Sequence, residues 1–215
     1  MDEVTKDAKR PGAPPAVANL SYNTAELPAT HRAINESIQD ADVVWVVSAG
    51  NRGEDSCPRA TSALVAGAST QSDSRPHWSG WGRCVDLFAP GVDISVAMNS
   101  SDTAYGTDSG TSFAAAHVSA AAAFYRSYNP EVDALRVMDA ITNSATRDVL
   151  INIGVGSPNL LLYLFTSGMT PPPPPLPPLP APPPTTKPAP PTLPYHSTFW
   201  SRFASWKLSW TRLFG

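Results

Sequence analysis

Ser112 carries the most chemical promise in the chain. It follows Gly110-Thr111 and opens the run Phe113-Ala114-Ala115-Ala116-His117-Val118, which places a hydroxyl behind a glycine at the start of a helix. Amides at a helix start can help hold a developing oxyanion. A plain N-capping role for Ser112 is equally open on this segment alone. Asn51 comes next, where the apolar run Val43 to Val47 passes into Ser48-Ala49-Gly50-Asn51. That order sets a side-chain amide at a strand's C-terminal end, where open α/β sheets place their ligands; the alternative is a turn residue in Asn51-Arg52-Gly53. His31 falls on an expected helix, His77 in a loop, His117 on the helix that Ser112 opens and His196 in the tail. Cys57 and Cys84 lack metal-ligand spacing, so they are two thiols or one disulfide. A disulfide is favoured; it would stabilise the fold by roughly 3 to 4 kcal/mol and needs an oxidising compartment.

These residues need a scaffold. Ala16 to Leu20 and Val43 to Val47 read as short strands, the second covered on both faces. Between them a helix is expected, capped by Thr30 with Ala33, Ile34 and Ile38 at helical spacing. Leu64 to Ala68 and Val85 to Ala89 read as further strands, with Pro90-Gly91 turning the chain. Ser112 to Tyr125 is apolar almost all round, as befits a helix in the middle of a domain. Asn129-Pro130-Glu131 reads as the start of another helix reaching about Asn143. The order of elements predicts an α/β fold, a parallel sheet flanked by helices.

Composition divides the chain. All 18 carboxylates lie at or before Asp148, while Lys187, Arg202, Lys207 and Arg212 follow it, so the body carries −7 and the tail +4. Neither part has the basic density of a nucleic-acid binder. Prolines dominate from Pro171 to Pro194, predicting extended polyproline II. Residues 1–14 are expected to lack regular structure, 15–166 to form the domain, 167–198 a proline-rich linker and 199–215 an amphipathic helix. In that last segment Phe199, Phe203, Trp206, Trp210 and Leu213 recur at one-face spacing with cations at the edges, which suits an anionic membrane surface or a partner's groove. The first residues, Met1-Asp2-Glu3, lack the apolar stretch of a signal peptide, and no run of 18 apolar residues occurs.

Gly110-Thr111-Ser112, Ser48-Ala49-Gly50-Asn51, Asp86-Leu87-Phe88-Ala89-Pro90-Gly91 and Pro15-Ala16-Val17-Ala18-Asn19-Leu20-Ser21 together resemble the subtilisin-like serine proteases, the proteinase K branch in particular. The resemblance covers about Pro15 to Thr146 and keeps the family's order. It implies a partial subtilisin-like domain acting on peptide or protein substrates outside the cell. Ser112 would be its nucleophile, Asn51 the oxyanion donor with the Ser112 amide, and Ser21, Ser48, Ala49 and Gly50 would contact substrate. It also implies a Cys57–Cys84 disulfide. No cofactor is required; a structural calcium ion at Asp86, joined by carbonyls near Thr61 and Ala63, stands against an ordinary solvated carboxylate.

The sequence departs from the pattern in three places. Ser21-Tyr22-Asn23-Thr24 stands where the family has a Ser-Leu-Gly-Gly type of segment, and Ala116 replaces a proline. The aspartate and histidine motifs that precede the serine in the family are not found. Thr107-Asp108-Ser109-Gly110 imitates the aspartate motif but abuts the nucleophile, and His117 matches a structural histidine, expected to be packed and hydrogen-bonded. A serine hydroxyl needs a base, and the base a carboxylate. The expectation is therefore a serine endopeptidase family member lacking its N-terminal half and inactive alone. The alternative is a non-catalytic protein that uses the cleft or the tail for binding.

Overall fold

The chain runs α1 (Asp2–Ala8), β1 (Val17–Leu20), α2 (Pro28–Ala41), β2 (Val44–Ser48), β3 (Leu64–Ser69), β4 (Leu87–Pro90), β5 (Ile94–Ala97), β6 (Tyr105–Asp108), α3 (Thr111–Tyr128), α4 (Ala134–Ser144), β7 (Thr146–Arg147) and β8 (Leu160–Leu161). This is a computed structural model, and it describes residues 1–22, 28–57 and 62–164. The linker and the amphipathic segment expected after residue 166 lie outside the described residues.

The apolar runs form a sheet in the order β1-β2-β3-β4-β8-β7, parallel from β1 to β8, with β7 antiparallel at one edge. Every residue of β2 and β3 is buried, as the unbroken Val44-Trp45-Val46-Val47 run requires of strands covered on both faces. Gly67 in β3 leaves room for Phe88 of β4, whose ring lies where a Cβ would stand. Helix α3 packs across β1 to β4, α4 packs on α3 and β2, and α2 lies on β2 beside α1. Parallel neighbours need long connections. Residues 49–63 and 70–86 provide them, with no α-helix among the described residues, and these loops hold Asn51 and both cysteines.

Several elements differ from expectation. Residues 1–14 include α1, whose Val4 and Ala8 pack against the core together with Met1 before it. Helix α2 begins at Pro28 rather than being capped by Thr30, since proline's fixed φ suits a first turn. Helix α4 begins after Asp133, whose carboxylate accepts the Arg136 amide. Asn129 instead closes α3, its amide and side chain both donating to the Tyr125 carbonyl. Helix α3 is buried along one face, Thr111, Ala114, Ala115, Val118, Ala121, Ala122 and Tyr125, while Ala116, His117, Ala120 and Ala123 are exposed. Alanine made the whole surface look apolar, yet each methyl exposes little area.

One ion pair ties four elements. Arg126 near the end of α3 is 3 % exposed, and its guanidinium donates to the Asp42 carboxylate and to the carbonyls of Ala16, Asp42 and Val132. Asp42, at φ 54 after α2, also accepts the Ala134 amide at the start of α4.

Candidate active site

Ser112 is the second residue of α3, and Gly110 is the N-cap without a side-chain cap bond. The capping reading of Ser112 therefore does not hold. Its hydroxyl donates instead to the Ser21 carbonyl at 3.0 Å, while the Ser21 hydroxyl donates to the Ser112 carbonyl at 2.7 Å. The Ser21 hydroxyl also accepts the Asn19 side-chain amide at 2.9 Å, and Asn19 Oδ1 lies 3.3 Å from the Ser119 hydroxyl two turns along α3. The end of β1 and the start of α3 are thus stitched together at the serine.

Asn51 is more than a turn residue. Its Oδ1 accepts the Thr111 amide at 2.9 Å and the Thr111 hydroxyl at 2.7 Å. Thr111 is 1 % exposed, and its Oγ1 in turn accepts the Gly50 amide at 3.1 Å. Both acceptor contacts fall on Oδ1, so Nδ2 makes no hydrogen bond among the described residues and stands beside Gly110. The Ser112 amide is likewise unbonded among the described residues, as one of the first helix amides. Two donors are thus left beside Gly110, Nδ2 at 3.3 Å and the Ser112 amide nitrogen at 3.7 Å from where a Cβ would stand.

Ser48 and Ala49 are buried. The Ala49 amide donates to Ala66 and its carbonyl accepts the Ser56 hydroxyl; the Gly50 carbonyl accepts the Gly80 amide. Gly50 sits at φ 97, where glycine is at ease. The Ala49 and Gly50 amides are thus both occupied, and both residues are buried. Thr111 is the residue the sequence reading passed over. It stood inside the quoted Gly110-Thr111-Ser112 motif, but its burial and its bonds to Asn51 are set by the fold and leave no local sign in the sequence.

Among the described residues no imidazole is hydrogen-bonded to Ser112. The His117 ring is exposed, and its Nδ1 lies 2.9 Å from the Phe113 carbonyl; it is hydrogen-bonded as expected but not packed. His31 lies on α2, where burial pushes its pKa below the ordinary 6.5, and its Nε2 has no hydrogen-bond partner among the described residues.

Cys57 and Cys84 form a disulfide. Asp86 accepts the Val65 amide at 2.7 Å and is half-buried. Thr61 lies outside the described residues, and among those described no group of three His, Cys, Asp or Glu could hold a metal.

The Subtilase family profile matches residues 3–164. The chain is 44 % identical over 167 residues to an extracellular serine proteinase of Thermus sp. (strain Rt41A), covering 76 % of this chain and 40 % of the relative. It is 37 % identical over 153 residues to subtilisin-like proteinase Spm1 of Pyricularia oryzae, covering 69 % and 28 %. The crystal structure of a cold-adapted subtilisin-like serine proteinase superposes with a TM-score of 0.70 at 35 % identity, covering 77 % of this chain and 60 % of that one. The chain spans less than half the length of the two relatives named. A match running from residue 3 to the end of the sheet, with the serine and asparagine segments in their family order, places the chain in the subtilase family.

Proposed function

We propose that this chain forms the nucleophile and oxyanion part of a serine endopeptidase. The observation that carries the reading is the Asn51–Thr111 lock, which commits Oδ1 to Thr111 and leaves Nδ2 without a hydrogen bond among the described residues, beside Gly110. Ser112 Oγ would add to a substrate carbonyl carbon while its proton passes to a base. Asn51 Nδ2 and the Ser112 amide would hold the resulting oxyanion. The amine then leaves with a proton, and water cleaves the acyl-enzyme. The base and its carboxylate would come from polypeptide beyond these residues. The outer edge of β1, unpaired among the described residues and directly before Ser21, is the natural place for it to join.

The test is a fusion of this chain behind the N-terminal part of a family member that carries the aspartate and histidine motifs. The chain alone should not turn over a peptide substrate, and the fusion should. Ser112→Ala should abolish that turnover and Asn51→Ala should lower it by roughly 10^2 to 10^3, the scale already known from a subtilisin. Turnover that survives Ser112→Ala would overturn the assignment. A disulfide and an extracellular relative support a secretory route. A structural calcium at Asp86 is the lesser part of the proposal: chelator should lower the Tm of the parent chain but not that of Asp86→Asn.

A second reading, a non-catalytic peptide-binding protein, is favoured by one observation. The Ser112 hydroxyl proton rests on the Ser21 carbonyl rather than on a base. A fluorophosphonate probe separates the two in natively isolated protein, since labelling of Ser112 above a Ser112→Ala control requires an activated hydroxyl.

A further inference from the structure

Three stretches of the sequence match the Asn-X-Ser glycosylation pattern: Asn19-Leu20-Ser21, Asn35-Glu36-Ser37 and Asn99-Ser100-Ser101. They occupy different surroundings. Asn19 lies in β1 opposite Val46, and its carboxamide and the Ser21 hydroxyl are both committed to the network at Ser112. Asn35 lies in α2 with its Oδ1 on the Ser62 amide, and Ser37 is 0 % exposed with its hydroxyl accepting the Trp45 indole. Asn99 stands at the tip of the β5–β6 hairpin, closed by the Met98 amide on the Ala104 carbonyl. Residues 98–103 are all exposed, and the side chains of Asn99 and Ser101 make no hydrogen bond among the described residues.

We propose that Asn99 is an N-glycosylation site, and that it alone of the three bears a glycan in the folded, secreted protein. The side-chain nitrogen of Asn99 attacks the anomeric carbon of a lipid-linked oligosaccharyl diphosphate. The carbon–oxygen bond breaks, its electron pair leaves on the lipid diphosphate, and the nitrogen loses one proton. The Ser101 hydroxyl lies two residues on, free to engage the transferase. A glycan on Asn19 or Asn35 would have to displace hydrogen bonds that position Ser112 or anchor α2, whereas a hairpin tip tolerates bulk.

The test is secretion of the full chain, behind a leader, from a eukaryotic host. Mass spectrometry before and after peptide-N-glycosidase should find one occupied position, converted to aspartate at residue 99. Asn99→Gln and Ser101→Ala should each abolish the glycan with secretion retained. Asn19→Gln and Asn35→Gln report the other two positions in whatever material they yield, and each should retain the glycan at residue 99. Secreted protein with no glycan, or with one that persists in Asn99→Gln, would overturn the proposal.

Discussion

The hydroxyl of Thr111 touches no substrate in the proposed reaction, yet it fixes the side chain that would hold the oxyanion. Thr111→Val keeps the shape and removes both the bond to Asn51 and the acceptor for the buried Gly50 amide. It should destabilise the fold by about 1–3 kcal/mol in urea titration. In the active fusion it should lower kcat more than it raises KM, because the oxyanion donor loses its alignment. His31 gives a different signature. Burial holds its pKa below 6.5, so as pH falls the unfolded chain takes up the proton first. Its contribution is complete above about 6.5 and declines as pH drops below that value, and Asn in its place should flatten the Tm profile over this window. Ser112 and Asn51 were legible as residues because each stands in a segment with its own local logic. Thr111's role was not, since it depends on a partner 60 positions away.

At the scale of elements, β1 to β4 and the βαβ unit were legible from short apolar runs, whereas β5 to β8, which lack such runs, were not expected. Boundaries slipped where two caps competed, as at Asn129 and Asp133, and the sequence holds no local sign of which helix end each would serve. The Arg126–Asp42 junction shows the same blindness, joining residues 84 apart. Asp42→Ala should strip a buried guanidinium of its carboxylate and the first turn of α4 of its acceptor. The expected loss is about 3 kcal/mol, the low end for a broken buried pair because Asp42 is half exposed. Asp42→Asn, which keeps an acceptor and tolerates the left-handed backbone, should lose less. Glu3→Ala, removing an exposed pair with Lys6, should change denaturant midpoints hardly at all.

The two long loops between β2 and β3 and between β3 and β4 are joined by the Cys57–Cys84 bond, which spans 27 positions. Reduction and alkylation should lower stability by roughly 3 kcal/mol on the chain-entropy view; equal midpoints with and without reductant would deny it that role. The Asn51–Thr111 lock has a consequence for hydrogen exchange. The Gly50 amide is covered by the threonine hydroxyl and the Thr111 amide by the asparagine carboxamide, so a single separation of loop from helix uncovers both. These two amides, 61 positions apart, should therefore report one opening free energy and respond together to temperature and denaturant. Neighbouring amides of β2, released only when the sheet itself opens, should exchange more slowly.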